Sequence, residues 1–580
     1  MNSKSLIDII TANNKLAQDL SGAPEYSVAI LSNIITSQLN PIFEYALRSN
    51  NINAKAVSGN YDNIIQDSRK FAENNAVIIF WELANLVDGL QYKINHYDTD
   101  TYNSLFNKIK TEIAMVVDAL KNTPLVIFNE FTCSPFTETY TETTHIELFT
   151  SELNSYLRSV ISPNIKLVNI RRLLLKTGIS NAIDLRNYYA AKSLYNVNFY
   201  KEYVKAVLPV FLSVNGKSKK ALIFDCDNTL WQGILGEDGF DKIKMSAKYK
   251  EGAVFEEVQY LALDLKKKGI LIGLCSKNNA DDVNRVIAQH PDMVLRDDDI
   301  TIKKINWLPK SENIINISKE LNIGLDSLVF IDDSDFEVNL IREQVPEVAV
   351  FQVPKMISLY PSMIREISNL FYNVSQTKED IERIDLYKSQ VKREASRETF
   401  SNLEEYLKSL EIKVTVYEDE PSYIPRMSQM TQKTNQFNLT TKRYTETEIR
   451  NFTDSDNYTL LAIDVTDKFG DNGITGLAII QHAGNEAVID TFLMSCRIIG
   501  RNIEFKFFEI IIGKLLEKNI SVLKAMYSPT SKNSQVENFY ENAGMELEGI
   551  DNGTKKYIAE LNTLNNKTSK VKYINIQYGK

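Results

Sequence analysis

An α/β protein of several domains is predicted, with parallel sheets in the first two-thirds of the chain and a mixed α+β region in the last third. Three observations carry this expectation. Short apolar runs alternate with amphipathic helical stretches from about residue 25 to about residue 370, which is the pattern of helix-linked parallel strands. From about 411 to 560 polar and apolar residues alternate between Gly, Asn and Asp turns, which reads as antiparallel strands. At 580 residues the chain also exceeds one ordinary core, so roughly two to four domains are expected.

In chain order, buried strands are expected at "SVAIL" (27–31), "AVIIFW" (76–81) and "PLVIFN" (124–129), inside a first domain over 1–200. The stretch "YNVNFYKEYVKAVLPVFLSVNGKSKK" reads as a bridging helix and a Gly-Lys-rich turn. A second domain over 216–370 carries strands "ALIF", "ILIGLC", "DMVL", "SLVFID" and "VAVFQV", with helices such as "VFEEVQYLALDLKKKG" between them. A charged helical connection spans 371–410, a third domain 411–562, and a loose tail 563–580.

Hydrophobic residues at 43% and charged residues at 24% describe a soluble globular chain. The formal net charge of -9 repels phosphate backbones and anionic lipid, so neither nucleic acid nor membrane is an expected partner. The apolar runs are too short for a bilayer span. Four dispersed cysteines and no signal-type N-terminus point to a reducing cytoplasm rather than a disulfide or zinc framework.

The chemistry gathers around "ALIFDCDNTLWQGILGEDG", 221–239, where Asp225 and Asp227 follow an apolar strand. Ligand sites of parallel sheets lie at such C-terminal edges. Two carboxylates that close resist joint ionisation unless a cation intervenes. Three further elements follow in order. "ILIGLCSKNN" ends a strand in Ser276, a hydroxyl able to donate to a phosphoryl oxygen. "NWLPKSENI" sets Lys310 at a helix start. "SLVFIDDSDFE" ends a strand in Asp332 and Asp333.

Together these elements resemble the haloacid dehalogenase (HAD) superfamily of phosphotransferases. The resemblance implies a Rossmann-like parallel core with Asp225 as nucleophile and Asp227 as general acid/base. Ser276 and Lys310 would hold the phosphoryl group. Mg²⁺ would be bound by Asp225, the Asp227 carbonyl and Asp333, with Asp332 in support. About 49 residues separate Asp227 from Ser276 and about 34 separate Ser276 from Lys310, which leaves little room for a large cap.

Longer strings, including "FDCDNTLWQGILGEDG", "LCSKNN", "QKTNQFNLTTKRYT", "FGDNGITG" and "MSCRIIGRNIE", resemble the FkbH-like family from about 180 to 545. That likeness implies removal of phosphate from 1,3-bisphosphoglycerate and transfer of the glyceryl unit to the thiol of an acyl carrier protein. Cys275, beside Ser276, then has two readings: an acyl-carrying thiol, or a core residue on the opposite strand face. An alternative function is a Mg²⁺ phosphatase of polysaccharide or sugar metabolism with a fused acetyltransferase-like domain, and another is a scaffold with degenerate sites.

The last domain resembles the GNAT acyltransferase fold. Its Arg497-Ile-Ile-Gly500-Arg-Asn502 matches the turn that cradles acyl-CoA pyrophosphate, with Asn502 in place of a small residue. Asn533 and Tyr540 fall where that fold has cofactor contacts and a general acid. The resemblance implies acyl-CoA or a carrier's phosphopantetheine as ligand, with the amide-rich string 433–445 either lining the channel or forming a solvated loop. The first domain resembles the SGNH hydrolase-like fold through Ser32 and Asn85. Its Asp-x-x-His is missing, since Asn187 stands three residues after Asp184, so docking or a lid is expected there instead of hydrolysis.

Overall fold

The computed structural model describes residues 4–137, 141–374, 402–530, 532–551, 553–567 and 571–579, and isolated positions between 386 and 400. Much of the connection expected over 371–410 lies outside the described residues; within it Leu403–Ser409 is helical. The chain divides into two compact units, Met1–Asn215 and Gly216–Lys580. No described helix is long and apolar enough to cross a membrane.

The first unit is built on β1 (Tyr26–Ser32), β2 (Ala54–Ser58), β3 (Ala76–Phe80), β4 (Leu125–Asn129) and β5 (Ile165–Val168). All pair in parallel in the order β2-β1-β3-β4-β5. The three strands legible in the sequence occupy the centre. The two that were not, "AKAVS" and "IKLV", are the edges, where one face meets solvent and a lysine interrupts the apolar run. The helix expected as a bridge, Val197–Val214, belongs to this unit: Tyr203 packs 5.2 Å from Phe80 and Phe211 meets Phe43 edge-on at 4.9 Å.

The second unit begins with β6 (Ala221–Phe224), β7 (Leu271–Ser276), β8 (Ile302–Ile305), β9 (Leu328–Asp332) and β10 (Ala349–Gln352). They form a parallel sheet in the order β10-β9-β6-β7-β8, with β6 and its four buried apolar residues at the centre. "DMVL" is not a strand. Met293 and Leu295 are buried in the core, but the Val294 and Leu295 N–H groups donate to the Gln259 side chain at 2.8 and 3.0 Å, and β8 takes the edge instead. Between β6 and β7 lie helices Leu235–Asp238 and Gly252–Lys267, and between β7 and β9 lie helices Ala280–Gln289 and Lys310–Leu321 with β8, so no large cap is inserted.

The rest of the unit is a mixed sheet. Its strands are β11 (Lys413–Glu418), β12 (Phe437–Asn438), β13 (Tyr458–Asp467), β14 (Gly470–Ala483), β15 (Glu486–Met494), β16 (Val522–Tyr527), β17 (Glu546–Asp551), β18 (Thr554–Glu560) and β19 (Asn575–Tyr578). The order is β17-β18-β16-β15-β14-β13-β11-β19, with β12 paired to β15. The tail is not loose: Leu561–Lys567 is helical and β19 pairs in parallel with β11, anchored by buried Val571 and Ile574. The multidomain α/β class is as the sequence predicts, with a Rossmann-like parallel core in the second unit.

Candidate active site

β6 and β9 are adjacent and parallel, so both deliver their terminal acids to the same sheet edge. Asp225, directly after β6, and Asp332 and Asp333, at the end of β9, offer carboxylate oxygens that all lie within 4.8 Å of one another. Lys310, the first residue of helix Lys310–Leu321, reaches into this group. Its Nζ lies 2.9 Å from Asp225 Oδ1 and 2.6 Å from Asp332 Oδ2. Asp225, Asp332 and Lys310 are all buried.

Burial pushes the Asp225 carboxyl above its ordinary value, against the pull of Lys310 and of the Ser276 hydroxyl that donates to it. Asp332 is raised by burial and by the Asp225 charge, and Asp333 by burial and by Asp332. For Lys310 burial works toward a lower value, but Asp225 and Asp332 outweigh it and hold the ammonium above the usual lysine range. Three carboxylates therefore face one ammonium, which leaves two negative charges for a divalent cation to neutralise. Hard oxygen donors in this arrangement fit Mg²⁺. Both Asp332 oxygens are engaged, Oδ2 by Lys310 at 2.6 Å and Oδ1 by the Ser334 N–H at 2.9 Å, and Asp225 is engaged by Lys310 and Ser276, so the cluster is tied together before any cation enters it.

The Asp227 side chain stands apart from the three-acid group. Trp231 Nε1 and the Leu235 N–H donate to its Oδ1 at 2.9 and 3.0 Å, and Asn278 Nδ2 donates to its Oδ2 at 2.9 Å. Trp231 and Asn278 carry no role in the sequence reading. Their signal was their place in the two strings "NTLW" and "SKNN", each one turn or one alternation beyond an assigned residue. The turn that brings Leu235 round needs Gly233 at φ +103°, where an added Cβ would also meet the Asp238 carboxylate at 2.8 Å.

Cys275 takes the core reading. It is fully buried among Ala221, Ile223, Leu271 and Ile314, its Sγ is 3.8 Å from the Lys310 carbonyl, and burial pushes the thiol far above its ordinary value. Strand alternation turns it to the face opposite Ser276. A thiol held there has neither the thiolate character nor the access that acyl transfer needs, so its acyl-carrying role is corrected.

Two of the four acyl-CoA residues, Asn533 and Tyr540, are closed off by the chain itself. β15 and β16 pair over Glu486–Ile489 and Val522–Ala525 and then part. The chain fills the gap with its own residues 437–440. β12 pairs with Leu493 and Met494, the Leu439 N–H donates to the Phe492 carbonyl at 3.1 Å, and the Ser528 N–H donates to the Leu439 carbonyl at 2.8 Å. Asn533 is fully buried and spent on this plug, its Nδ2 donating to the Asn438 and Ser528 carbonyls at 2.9 Å each. Tyr540 is buried beside Phe539 and Tyr557, out of reach of any ligand as a general acid.

At the turn itself Arg497 is buried and donates to the Asn472 carbonyl at 3.2 Å, and Gly500 sits at φ +81°. Asn502 adopts φ +59° as the cap of helix Ile503–Glu517, and its amide donates to Tyr573 at 2.9 Å. The Tyr573 hydroxyl in turn donates to the Arg501 carbonyl at 3.2 Å. Acetyl-CoA is therefore expected to leave the melting temperature unchanged in a thermal-shift titration, whereas a ligand at 100 times its Kd would add about 2.7 kcal/mol of stability.

In the first unit Ser32 and Asn85 come to one sheet edge, but neither is poised for hydrolysis. The Ser32 hydroxyl is buried and donates to the Phe80 carbonyl at 3.0 Å, and the Asn85 amide donates to the Asn33 carbonyl at 2.6 Å. Asp184 caps helix Leu185–Ala191 through the Asn187 N–H.

No protein-family model and no curated protein matches the chain. Among solved structures, it is similar to the N-terminal part of the protein BF1531 from Bacteroides fragilis, described as containing a phosphatase domain complexed with Mg. Identity is 26% and the TM-score 0.56, over 64% of this chain and 100% of that one. It also matches the ribosomal-protein-S18-alanine N-acetyltransferase of Escherichia coli, at 13% identity and a TM-score of 0.21 over 26% of this chain and 94% of that one.

Proposed function

We propose that the chain is a Mg²⁺-dependent phosphotransferase of the HAD type, acting on a phosphorylated small molecule through a covalent phosphate on Asp225. The observation that supports this most is the buried Asp225, Asp332, Asp333 and Lys310 cluster at one edge of β6 and β9. Similarity to a Mg-bound phosphatase part agrees with it.

Asp225 attacks phosphorus, the bond from phosphorus to the leaving oxygen breaks, and Asp227 gives that oxygen its proton. Asp227 then takes a proton from water, whose oxygen attacks the aspartyl phosphate and frees inorganic phosphate. Ser276 and Lys310 hold the phosphoryl oxygens, and Trp231, Leu235 and Asn278 hold Asp227 in place for both proton transfers. Asp225, Asp333 and the Asp227 carbonyl, with Asp332 behind them, would hold a Mg²⁺ ion, which would supply charge neutralisation at the transferring group.

On the FkbH-like strings we read the donor as 1,3-bisphosphoglycerate, with Asp225 taking the phosphate from the 3-oxygen and the thiol of an acyl carrier protein displacing the 1-phosphate at the acyl carbon; the alternative is simple hydrolysis of a sugar or polysaccharide phosphate. Intact-mass measurement of a carrier protein after incubation with enzyme, donor and Mg²⁺ separates them. A mass gain of one acyl unit supports loading, and phosphate release without it supports the hydrolase. The packing of Cys275 adds a prediction: Cys275→Ser retains phosphate release and any loading within a few-fold of the parent protein, and loses about 1 to 2 kcal/mol of stability to denaturant as its buried sulfur is replaced.

A further inference from the structure

A cavity of about 280 Å³ lies within the second unit, away from the acid cluster. Lys220 enters its wall immediately before β6, and Asp326 and Ser327 immediately before β9. These are the ends of the strands opposite to those carrying Asp225 and Asp332. Five residues from Lys220 to Asp225 at about 3.3 Å each set the two places about 17 Å apart. The opposite wall comes from the two strings that the catalytic reading leaves over: Lys433, Thr434, Asn435 and Gln436, and Ser495, Cys496 and Arg497.

The lining is strongly one-sided. Among its described residues Lys220, Arg426, Lys433, Arg497 and Lys532 are cationic, and Asp326 is the one carboxylate. Asp326 is shared: it pairs with Lys532 while its backbone carbonyl accepts from Lys219 Nζ at 2.6 Å. Two lysines just ahead of Lys220 in the chain, outside the lining, sit beside the same positive charge. Burial, then Lys532 and Arg443, push Lys217 down to about 8, and burial holds Lys219 below the usual lysine range. Gly216 leads this basic run at φ +65° because an added Cβ would meet the Gln432 carbonyl at 2.2 Å, so the run is packed tightly against helix Ile424–Lys433.

We propose that this cavity is a second binding site, for a small phosphate-bearing metabolite, separate from the phosphoryl-transfer centre. Arg426 and Arg497 spend guanidinium N–H groups on the Ile474 and Asn472 carbonyls and add their charge from behind, and a dianion there would answer the net positive charge of the wall and accept from its lysines, amides and hydroxyls. The cavity is large enough for a phosphate group with a short carbon chain and too small for a nucleotide cofactor. The proposal stands whether or not Asp225 is the nucleophile.

The test is calorimetric titration of the full chain with inorganic phosphate in EDTA at constant ionic strength, which removes the divalent cation that phosphate needs at the acid cluster. One equivalent should bind, equally well to the Asp225→Asn variant, and at least about tenfold more weakly to the Lys433→Gln/Lys532→Gln double variant. Alkylation locates the site: Cys133, Cys226 and Cys275 are buried and Cys496 is partly exposed in the cavity wall, so phosphate should slow iodoacetamide labelling of Cys496. No heat of binding overturns the proposal, as does binding indifferent to the double substitution, or binding lost with Asp225→Asn. A double variant whose melting temperature falls is replaced by Lys433→Arg/Lys532→Arg, which must keep the site.

Discussion

Asp225→Asn is expected to lower Mg²⁺-dependent phosphate release by at least about 10³-fold, equivalent to about 4 kcal/mol of barrier. The substitution keeps the shape of the side chain and its place after β6, and removes the one property that covalent catalysis needs, an anionic oxygen next to phosphorus. It should not unfold the protein. Asp225 is a buried acid that burial pushes toward the protonated form, in a group of three carboxylates with one ammonium. Taking one charge out of that group relieves repulsion on Asp332, so the metal-free variant should melt at the same temperature as the parent or higher. A colorimetric phosphate assay with a melting curve on the same sample checks both halves. Activity within tenfold of the parent removes Asp225 from the nucleophile role.

The acid and lysine cluster is legible in the sequence because its residues sit at strand ends and the strands are strongly apolar runs. "ALIF", "ILIGLC" and "SLVFID" are buried on both faces, so their ends are easy to find, and parallel pairing brings those ends to one edge. What lay outside such runs was missed. β2, β5 and β8 are edge strands carrying lysines, and β19 pairs across more than 150 residues of sequence with β11. No local pattern announces such a partner. Cys275 shows the same limit at one residue. Adjacency to Ser276 suggested function, and the pleat of β7 decided against it by turning the thiol into the core. The amide-rich string 433–445 divides between roles: its first residues line a cavity, and Phe437 to Thr440 plug the gap between β15 and β16. Composition alone marks both as polar and distinguishes neither.

Lys310→Met is expected to cost about 3 to 5 kcal/mol of metal-free stability, the loss seen when one partner of a buried ion pair is removed and the other charges stay behind. Lys310 is the one cation among Asp225, Asp332 and Asp333 and bonds the first two at 2.9 and 2.6 Å. Without it all three acids keep their burial and lose their compensation. Their folded pKa values, already above the ordinary 3.8, rise further. The sign of the pH dependence follows. The folded variant binds more protons than its unfolded chain between 3.8 and those raised values, so its stability falls as pH rises through that window and recovers as pH is lowered into it. Mg²⁺ should restore part of the loss at neutral pH, because it binds the folded cluster and not the unfolded chain. Urea melts at pH 5 and pH 7.5, each with EDTA and with Mg²⁺, make four measurements. Equal destabilisation in all four would mean that Lys310 contributes packing alone and that the three acids do not share a charged site.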